Sequence, residues 1–193
     1  MSGDHPHPHT GATEAFKVES FNVNRNTTRP VILVGFLEGE NLGLGYLAAM
    51  LRSHGYKVII LDFERDPEDV LNVVRTNEPM IIGFSLIFQF YIEKFASLLR
   101  YLRNNGVNAH FTIGGHFASL SSEQTLRLIP ELDTVVRFEG EQTLLELADQ
   151  VSTGGDYRNI LGIAYVKDGK AVCTPMRPLV HDLDNPALSG THL

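Results

Sequence analysis

Val31-Ile32-Leu33-Val34-Gly35, then Glu38-Gly39-Glu40-Asn41-Leu42-Gly43, then the run from Leu44 to Arg52: this stretch decides the fold. The first segment is a short apolar run closed by glycine, the signature of a buried strand. The last is rich in leucine and alanine and reads as a helix. A loop of small and polar residues between a buried strand and a helix N-terminus is where open α/β sheets hold ligands. Two similar loops follow, Ser85-Leu86-Ile87 and Gly114-Gly115-His116, each after another apolar run. Three such loops on one sheet edge predict a ligand-binding domain.

Outward from there the chain alternates strand and helix. Strands are expected at Val31–Gly35, Lys57–Asp62, Met80–Phe84, Ala109–Ile113 and Thr134–Arg137. The helices between and after them are expected near Asn41–Ser53, after Asp66-Pro67, near Phe90–Asn104, near Ser121–Leu128 and from Glu141 to Val151. Asp66-Pro67 is an N-cap with proline in the first turn, and Ser121-Ser122-Glu123 is a second start signal. The strands are continuous apolar runs without alternation, which means burial on both faces and hence a parallel sheet. Right-handed crossovers then place helices on both sides. The fold expected is a doubly wound, five-stranded parallel α/β sheet of flavodoxin-like order 2-1-3-4-5. Its switch point lies between strands one and three, at Glu38–Gly43 and Ser85–Gln89. Leu161–Lys167 and Lys170–Thr174 flank Asp168-Gly169, a hairpin signal, because both turn residues must tolerate positive φ. Residues 1–28 are expected to be a disordered leader, in which His5, His7 and His9 alternate with Pro6 and Pro8 and build no compact metal cage. Residues 29–154 form the expected main domain, and 155–193 a β-hairpin and linker.

Composition narrows the function. The 193 residues are 43% hydrophobic and 20% charged, ordinary for a soluble globular chain. A net charge of −7 with no basic cluster argues against nucleic acid. Cys173 is the one cysteine, which excludes a disulfide framework and an iron–sulfur cluster ligated by this chain alone. No apolar run approaches the roughly 20 residues of a membrane span, and no secretory signal is visible, so a cytoplasmic location is expected.

Each loop has an architectural reading as well. Gly43 and Gly45 can serve close helix packing. The spacing of Gly39, Gly43 and Gly45 does not match the dinucleotide fingerprint, and no Gly-Lys-Ser/Thr forms a phosphate loop. Gly114-Gly115 after a strand gives a ligand close access to backbone. Gly35, Gly83 and Gly114 all fall at or near strand ends, a thinning that predicts a long, narrow slot for a bulky planar ligand's tail.

In combination, these residues resemble the cobalamin-binding domain of corrinoid proteins. That family has Asp-x-His-x-x-Gly after strand one, Ser-x-Leu after strand three and Gly-Gly after strand four. Here Glu38-Gly39-Glu40-Asn41-Leu42-Gly43, Ser85-Leu86-Ile87 and Gly114-Gly115 occupy those places. The glycines and serine match, but the cobalt-ligating histidine is replaced by Glu40, and carboxylate suits cobalt in a corrin less well than imidazole. The segment Val135–Leu144, with Phe138-Glu139-Gly140-Glu141, is similar to the corrinoid domain of cobalamin-dependent radical S-adenosylmethionine enzymes. So are the hairpin and Asp182-Leu183-Asp184-Asn185-Pro186, which in those enzymes precedes the radical domain. The resemblance covers roughly residues 30 to 187. It implies cobalamin as cofactor, bound without a histidine lower ligand, and a radical S-adenosylmethionine domain or protein of methyltransferase type as partner. The cofactor-binding residues it implies are Leu37, Glu38, Asn41, Leu42, Gly43, Ser85, Leu86, Ile87, Phe88, Gly114, Gly115, His116, Phe138, Glu139 and Gly140. No catalytic residue or protein metal ligand is expected. The Cys-x-x-x-Cys-x-x-Cys motif has no counterpart, so the chain is expected to be a fragment or a stand-alone carrier.

His116 reads as lining the corrin, or else as capping the fourth helix. Phe88, Phe90 and Tyr91 read either as an apolar floor under the corrin or as the buried edge of the third helix. His54 is expected to interact with a helix C-terminus, and Cys173 to be inert packing. The competing class is a flavodoxin-like nucleotide- or flavin-binding or signalling module. A receiver domain needs an aspartate after strand three, where this chain has Phe84-Ser85.

Overall fold

Apolar runs with no solvent face have to be covered on both sides, and the chain does this with a sheet between two helical layers. The computed structural model describes residues 29–37 and 41–177. The expected leader, Glu38 to Glu40, and residues 178–193 lie outside the described residues.

The strands are β1 (Val31–Gly35), β2 (Val58–Asp62), β3 (Ile81–Ser85), β4 (His110–Gly114), β5 (Thr134–Val136), β6 (Ile163–Lys167) and β7 (Lys170–Cys173). Their order is β2-β1-β3-β4-β5-β6-β7. The first five are parallel in the expected 2-1-3-4-5 arrangement. The hairpin β6–β7 adds antiparallel to β5 and extends the same sheet. Its turn is made by Asp168 and Gly169, with φ of 51° and 74°, as the Asp-Gly pair predicts.

The helices are α1 (Leu42–Ser53), α2 (Pro67–Asn77), α3 (Ile92–Asn104), α4 (His116–Leu120), α5 (Ser122–Leu128) and α6 (Glu141–Thr153). Strand residues of one parity, such as Ile32, Val34, Ile82, Phe84, Phe111 and Ile113, pack with Val70, Leu71, Phe95, Leu99 and Leu102 of α2 and α3. Residues of the other parity, such as Val31, Leu33 and Ile81, pack with Leu44, Leu51, Leu144 and Leu147 of α1 and α6. Each fully buried aliphatic side chain contributes about 1.5–3 kcal/mol. Helix starts follow local chemistry. Asp66 Oδ1 accepts the Glu68 N–H at 2.9 Å ahead of Pro67, and Asn41 Oδ1 accepts the Leu44 N–H at 3.1 Å.

One helix departs from expectation. The helix expected near Ser121–Leu128 is present as α5, but a short helix that was not expected, α4, precedes it directly after Gly115. Its five residues have no side-chain cap at the start, so nothing local announces it. It is held by the Ser119 N–H to Gly115 O bond at 3.0 Å and by burial of Ala118. After β7 the chain continues beside the residues that precede β6 and then reaches α6. Pro175 O accepts from Gly162 N–H at 2.9 Å, and Arg177 reaches Glu146 Oε2 at 2.7 Å and Thr143 Oγ1 at 3.3 Å on α6.

Candidate functional site

Strand register builds the first layer of the site. At the C-terminal end of the parallel sheet, Asp62, Gly35, Ser85 and Gly114 stand abreast on β2, β1, β3 and β4. Alternation puts Gly35, Ser85 and Gly114 on the face that carries α1 and α6. Across three adjacent strands that row has nothing longer than a serine side chain. On the β1 side, Asn41 closes the turn, its Nδ2 donating to Phe36 O at 3.1 Å while its Oδ1 caps α1.

Below the row, the space beside Gly83 is occupied. A Cβ on Gly83 would lie 2.9 Å from Leu33 Cδ2, so Leu33 fills the space that this glycine leaves. Gly115 is also in close contact. Its φ is 109°, and a Cβ there would lie 2.3 Å from the carbonyl oxygen of Leu86. The bare backbone at Gly115 lets the β3 loop approach closely. Leu86 itself is wholly buried against the α2/α3 side, so its side chain belongs to the core.

These contacts tie the loops into one unit. The Leu86 N–H donates to Gly114 O at 2.9 Å, joining the β3 and β4 loops. Ser119 Oγ, on buried Ser119 of α4, accepts the Phe138 N–H at 2.7 Å, joining the β4 and β5 loops. A Cβ on Gly140 would sit 3.4 Å from Leu47 Cδ2, so the β5 loop rests closely on α1. Phe138 is held at φ 59°, a left-handed conformation uncommon for a bulky residue.

Around this short row stands a ring of exposed apolar side chains. Leu37, Leu42 (61% exposed), Tyr46, Ile87, Phe88, Phe90 (73%), Leu120 and Phe138 (47%) all lie at or near the C-terminal end of the sheet. Exposed apolar side chains gathered at one end of a fold are the kind of surface that marks an interaction site. At the short 3₁₀ turn Gln89–Tyr91, Phe88 stacks on Phe90 and both rings meet Tyr91 at a tilt. Phe88 and Phe90 therefore stand on the rim, while half-buried Tyr91 packs back onto Phe36 and Phe63. Of this aromatic run, only Tyr91 is therefore part of a packed edge. The Arg137 guanidinium lies 5.4 Å from the Phe138 ring centroid.

The other predicted residues take their places around this rim. Leu37, Gly43, His116 and Glu139 are exposed, while Asn41, Ser85, Gly114, Gly115 and Gly140 are half-buried. His116 is the first residue of α4, not a cap of the helix that follows. Glu38 and Glu40 lie outside the described residues. Ser119 was not signalled by sequence, because its role depends on a helix that sequence does not announce.

The remaining candidates lie elsewhere. His54 caps α1, its Nδ1 2.8 Å from Met50 O. Cys173 is exposed on the edge strand, not packed. His110 is at the opposite end of β4, its Nε2 2.9 Å from Thr134 Oγ1, which donates to Thr112 Oγ1 at 2.9 Å. Burial pushes its pKa down, Asp133 opposing this and Arg103 adding to it. Two open grooves of about 570 and 560 Å³ flank Phe63, Pro67 and Tyr101 on one side and His110, Glu131 and Tyr157 on the other, and neither reaches the rim. Among the described residues, no helix is long and apolar enough to cross a membrane.

Known proteins resemble this chain in sequence and fold. The chain is 33% identical over 148 residues to an uncharacterized methyltransferase of Pyrococcus horikoshii, a match covering 76% of this chain and 32% of that protein. It is 33% identical over 149 residues to the anaerobic magnesium-protoporphyrin IX monomethyl ester cyclase of Rubrivivax gelatinosus, covering 73% and 27%. The chain thus spans about a third or less of these relatives. In fold it resembles the radical S-adenosylmethionine methyltransferase TsrM from Kitasatospora setae, solved with cobalamin and a [4Fe-4S] cluster. That match has a TM-score of 0.68 at 22% identity, over 80% of this chain and 30% of that one. The cobalamin-dependent S-adenosylmethionine radical enzyme OxsB, with aqua-cobalamin, follows at 0.65 and 23%, over 78% and 23%. The sequence model of the B12 binding domain matches residues 28–148, and with most of the folded chain inside that match the protein belongs to the B12-binding domain family.

Proposed function

We propose that this chain holds cobalamin on its C-terminal rim, without a histidine beneath the cobalt, and presents it to a radical S-adenosylmethionine catalytic unit of methyltransferase type. Residues 29–154 are the cofactor-binding unit in this reading, and 155–193 lead towards the catalytic partner. The observation that carries the reading is the exposed apolar ring around the Gly35–Ser85–Gly114 row. A corrin is a broad disc with a largely apolar face. Leu37, Leu42, Ile87, Phe88 and Phe138 offer such a disc a water-excluding seat, and the short row between them leaves room at its centre. Membership of the B12-binding domain family supports the choice of cofactor.

The residues of this chain bind and orient. Phe88 and Phe90 exclude water from the face of the disc turned towards the protein. The Ser85 hydroxyl and the backbone of Gly114 offer polar atoms along the row. Asn41 is committed to its own loop by two hydrogen bonds and therefore shapes the seat. Glu40 stands where corrinoid proteins of the histidine type carry their ligand, and in this reading it does not ligate. When bound, the corrinoid supplies the methyl-carrying or radical chemistry, while the protein supplies orientation and electrostatics.

The test is direct. Purified protein mixed with hydroxocobalamin and passed through gel filtration is expected to retain the cofactor, with a visible spectrum lacking the signature of histidine ligation. Elution of colourless protein would defeat the reading, and a histidine-ligated spectrum would defeat its lower-face part. Flavin and nucleotide titrations serve as controls for the competing class.

A further inference from the structure

We propose that Ser119 is a positioning residue for the cofactor, acting through Phe138; this rests on the cobalamin reading above. Phe138 leaves β5 in the left-handed region, at φ 59°. A phenylalanine does not rest there unaided, since such conformations cost about 1–3 kcal/mol and persist only where the surroundings impose them. The imposing contact is the 2.7 Å hydrogen bond from the Phe138 N–H to Ser119 Oγ. Ser119 is 5% exposed, so its hydroxyl offers the amide an acceptor that water does not readily replace. The neighbouring Arg137 N–H is held by Gly162 O at 2.8 Å, so the two successive amides leading into the strained residue are both held.

The result is an exposed aromatic ring aimed from the end of β5 onto the rim. Ser119 is itself fixed by the Ser119 N–H to Gly115 O bond, and Gly115 is wedged on Leu86. The β3, β4 and β5 loops therefore reach Phe138 as one connected body, with Ser119 as the side-chain link between the last two. The hydroxyl touches no cofactor. It fixes the angle of a ring that does, and so preorganises the seat.

The test is a double-mutant cycle read as hydroxocobalamin affinity. Ser119→Ala and Phe138→Ala are each expected to weaken binding about tenfold, the usual scale for stranding one hydrogen-bonding partner. Their combination is expected to be no weaker than the worse single variant, because Ser119 works only through Phe138. A merely structural Ser119 would give losses that multiply. Amide exchange at Phe138 in the cofactor-free protein is expected to accelerate at least tenfold in Ser119→Ala. Should that variant not fold, Ser119→Cys keeps the bulk with a weak acceptor and is expected to behave likewise. Unchanged affinity in the serine variants, or multiplied losses in the cycle, would overturn the assignment while leaving the cofactor reading intact. A wild-type protein that retains no hydroxocobalamin would overturn both.

Discussion

Gly115→Ala is the substitution whose outcome the structure dictates most firmly. Gly115 has φ 109° and ψ 176°, a region open essentially to glycine alone, and placing alanine there costs about 1–3 kcal/mol. The new methyl would stand 2.3 Å from Leu86 O and 2.8 Å from Leu86 C. Both are backbone atoms, so no rotamer change relieves the overlap and the β3 loop has to withdraw. Withdrawal breaks the 2.9 Å bond from Leu86 N–H to Gly114 O, and an unsatisfied buried amide adds about 1–3 kcal/mol. The expected loss is therefore about 2–6 kcal/mol, a large part of the stability of an ordinary domain. Urea unfolding followed by far-ultraviolet circular dichroism reads it as a lower midpoint at unchanged slope. Gly114→Ala is the internal control. Its methyl would meet Val136 O at 3.4 Å and Val136 Cβ at 3.8 Å, ordinary contacts, and it is expected to lose less than about 1 kcal/mol. A Gly115→Ala protein within about 1 kcal/mol of wild type would refute the wedge between the β3 and β4 loops.

Gly45, inside α1, has open space where a Cβ would stand; Gly45→Ala is expected to stabilise the protein by about 0.5–1 kcal/mol in the same urea assay, and a destabilised variant would reveal an undetected contact. His110 is held neutral by burial, its pKa lowered; below the unfolded value near 6.5 the unfolded chain takes up a proton that the folded chain refuses, so its contribution is present at neutral pH and is lost as pH falls from about 6.5 through the lowered folded value. Unfolding free energies of His110→Gln are accordingly expected to depend less on pH than those of wild type between pH 7.5 and 5, and equal slopes would contradict this. Glu40→Ala is expected to leave hydroxocobalamin retention and its visible spectrum unchanged, whereas release of the cofactor would make Glu40 a ligand.

The strands were legible because burial on both faces leaves a plain mark, a short unbroken apolar run such as Ile81-Ile82-Gly83-Phe84. Their parallel order followed from that mark and from the alternation of strand and helix. The short row was legible too, since Gly35, Ser85 and Gly114 each end a strand. What lay beneath it was not. Whether the space over Gly83 is empty depends on which way Leu33 turns on the neighbouring strand, a tertiary fact with no local trace. The packing at Gly115 was hidden for a related reason. A missing side chain invites a ligand or a neighbouring backbone equally, and here the backbone of Leu86 arrives first. The helix α4 escaped because five residues without a capping side chain carry too little pattern, and Ser119 was hidden with it. The aromatic run Phe88 to Tyr91 was visible as a cluster, but only packing could separate the two exposed rings from the half-buried one.

The exposed ring of leucines and aromatics also has a colloidal consequence. A bare hydrophobic crown on a small domain is an adhesive, and whatever covers it competes with every other greasy surface in solution, including another crown. The cofactor-free chain should therefore scatter more light as its concentration rises, and a saturating corrinoid should clear the solution. The net charge of −7 supplies long-range repulsion that salt would screen, so turbidity should grow with ionic strength. Storage and handling of the empty protein are thus governed by the same few side chains that would seat its cofactor.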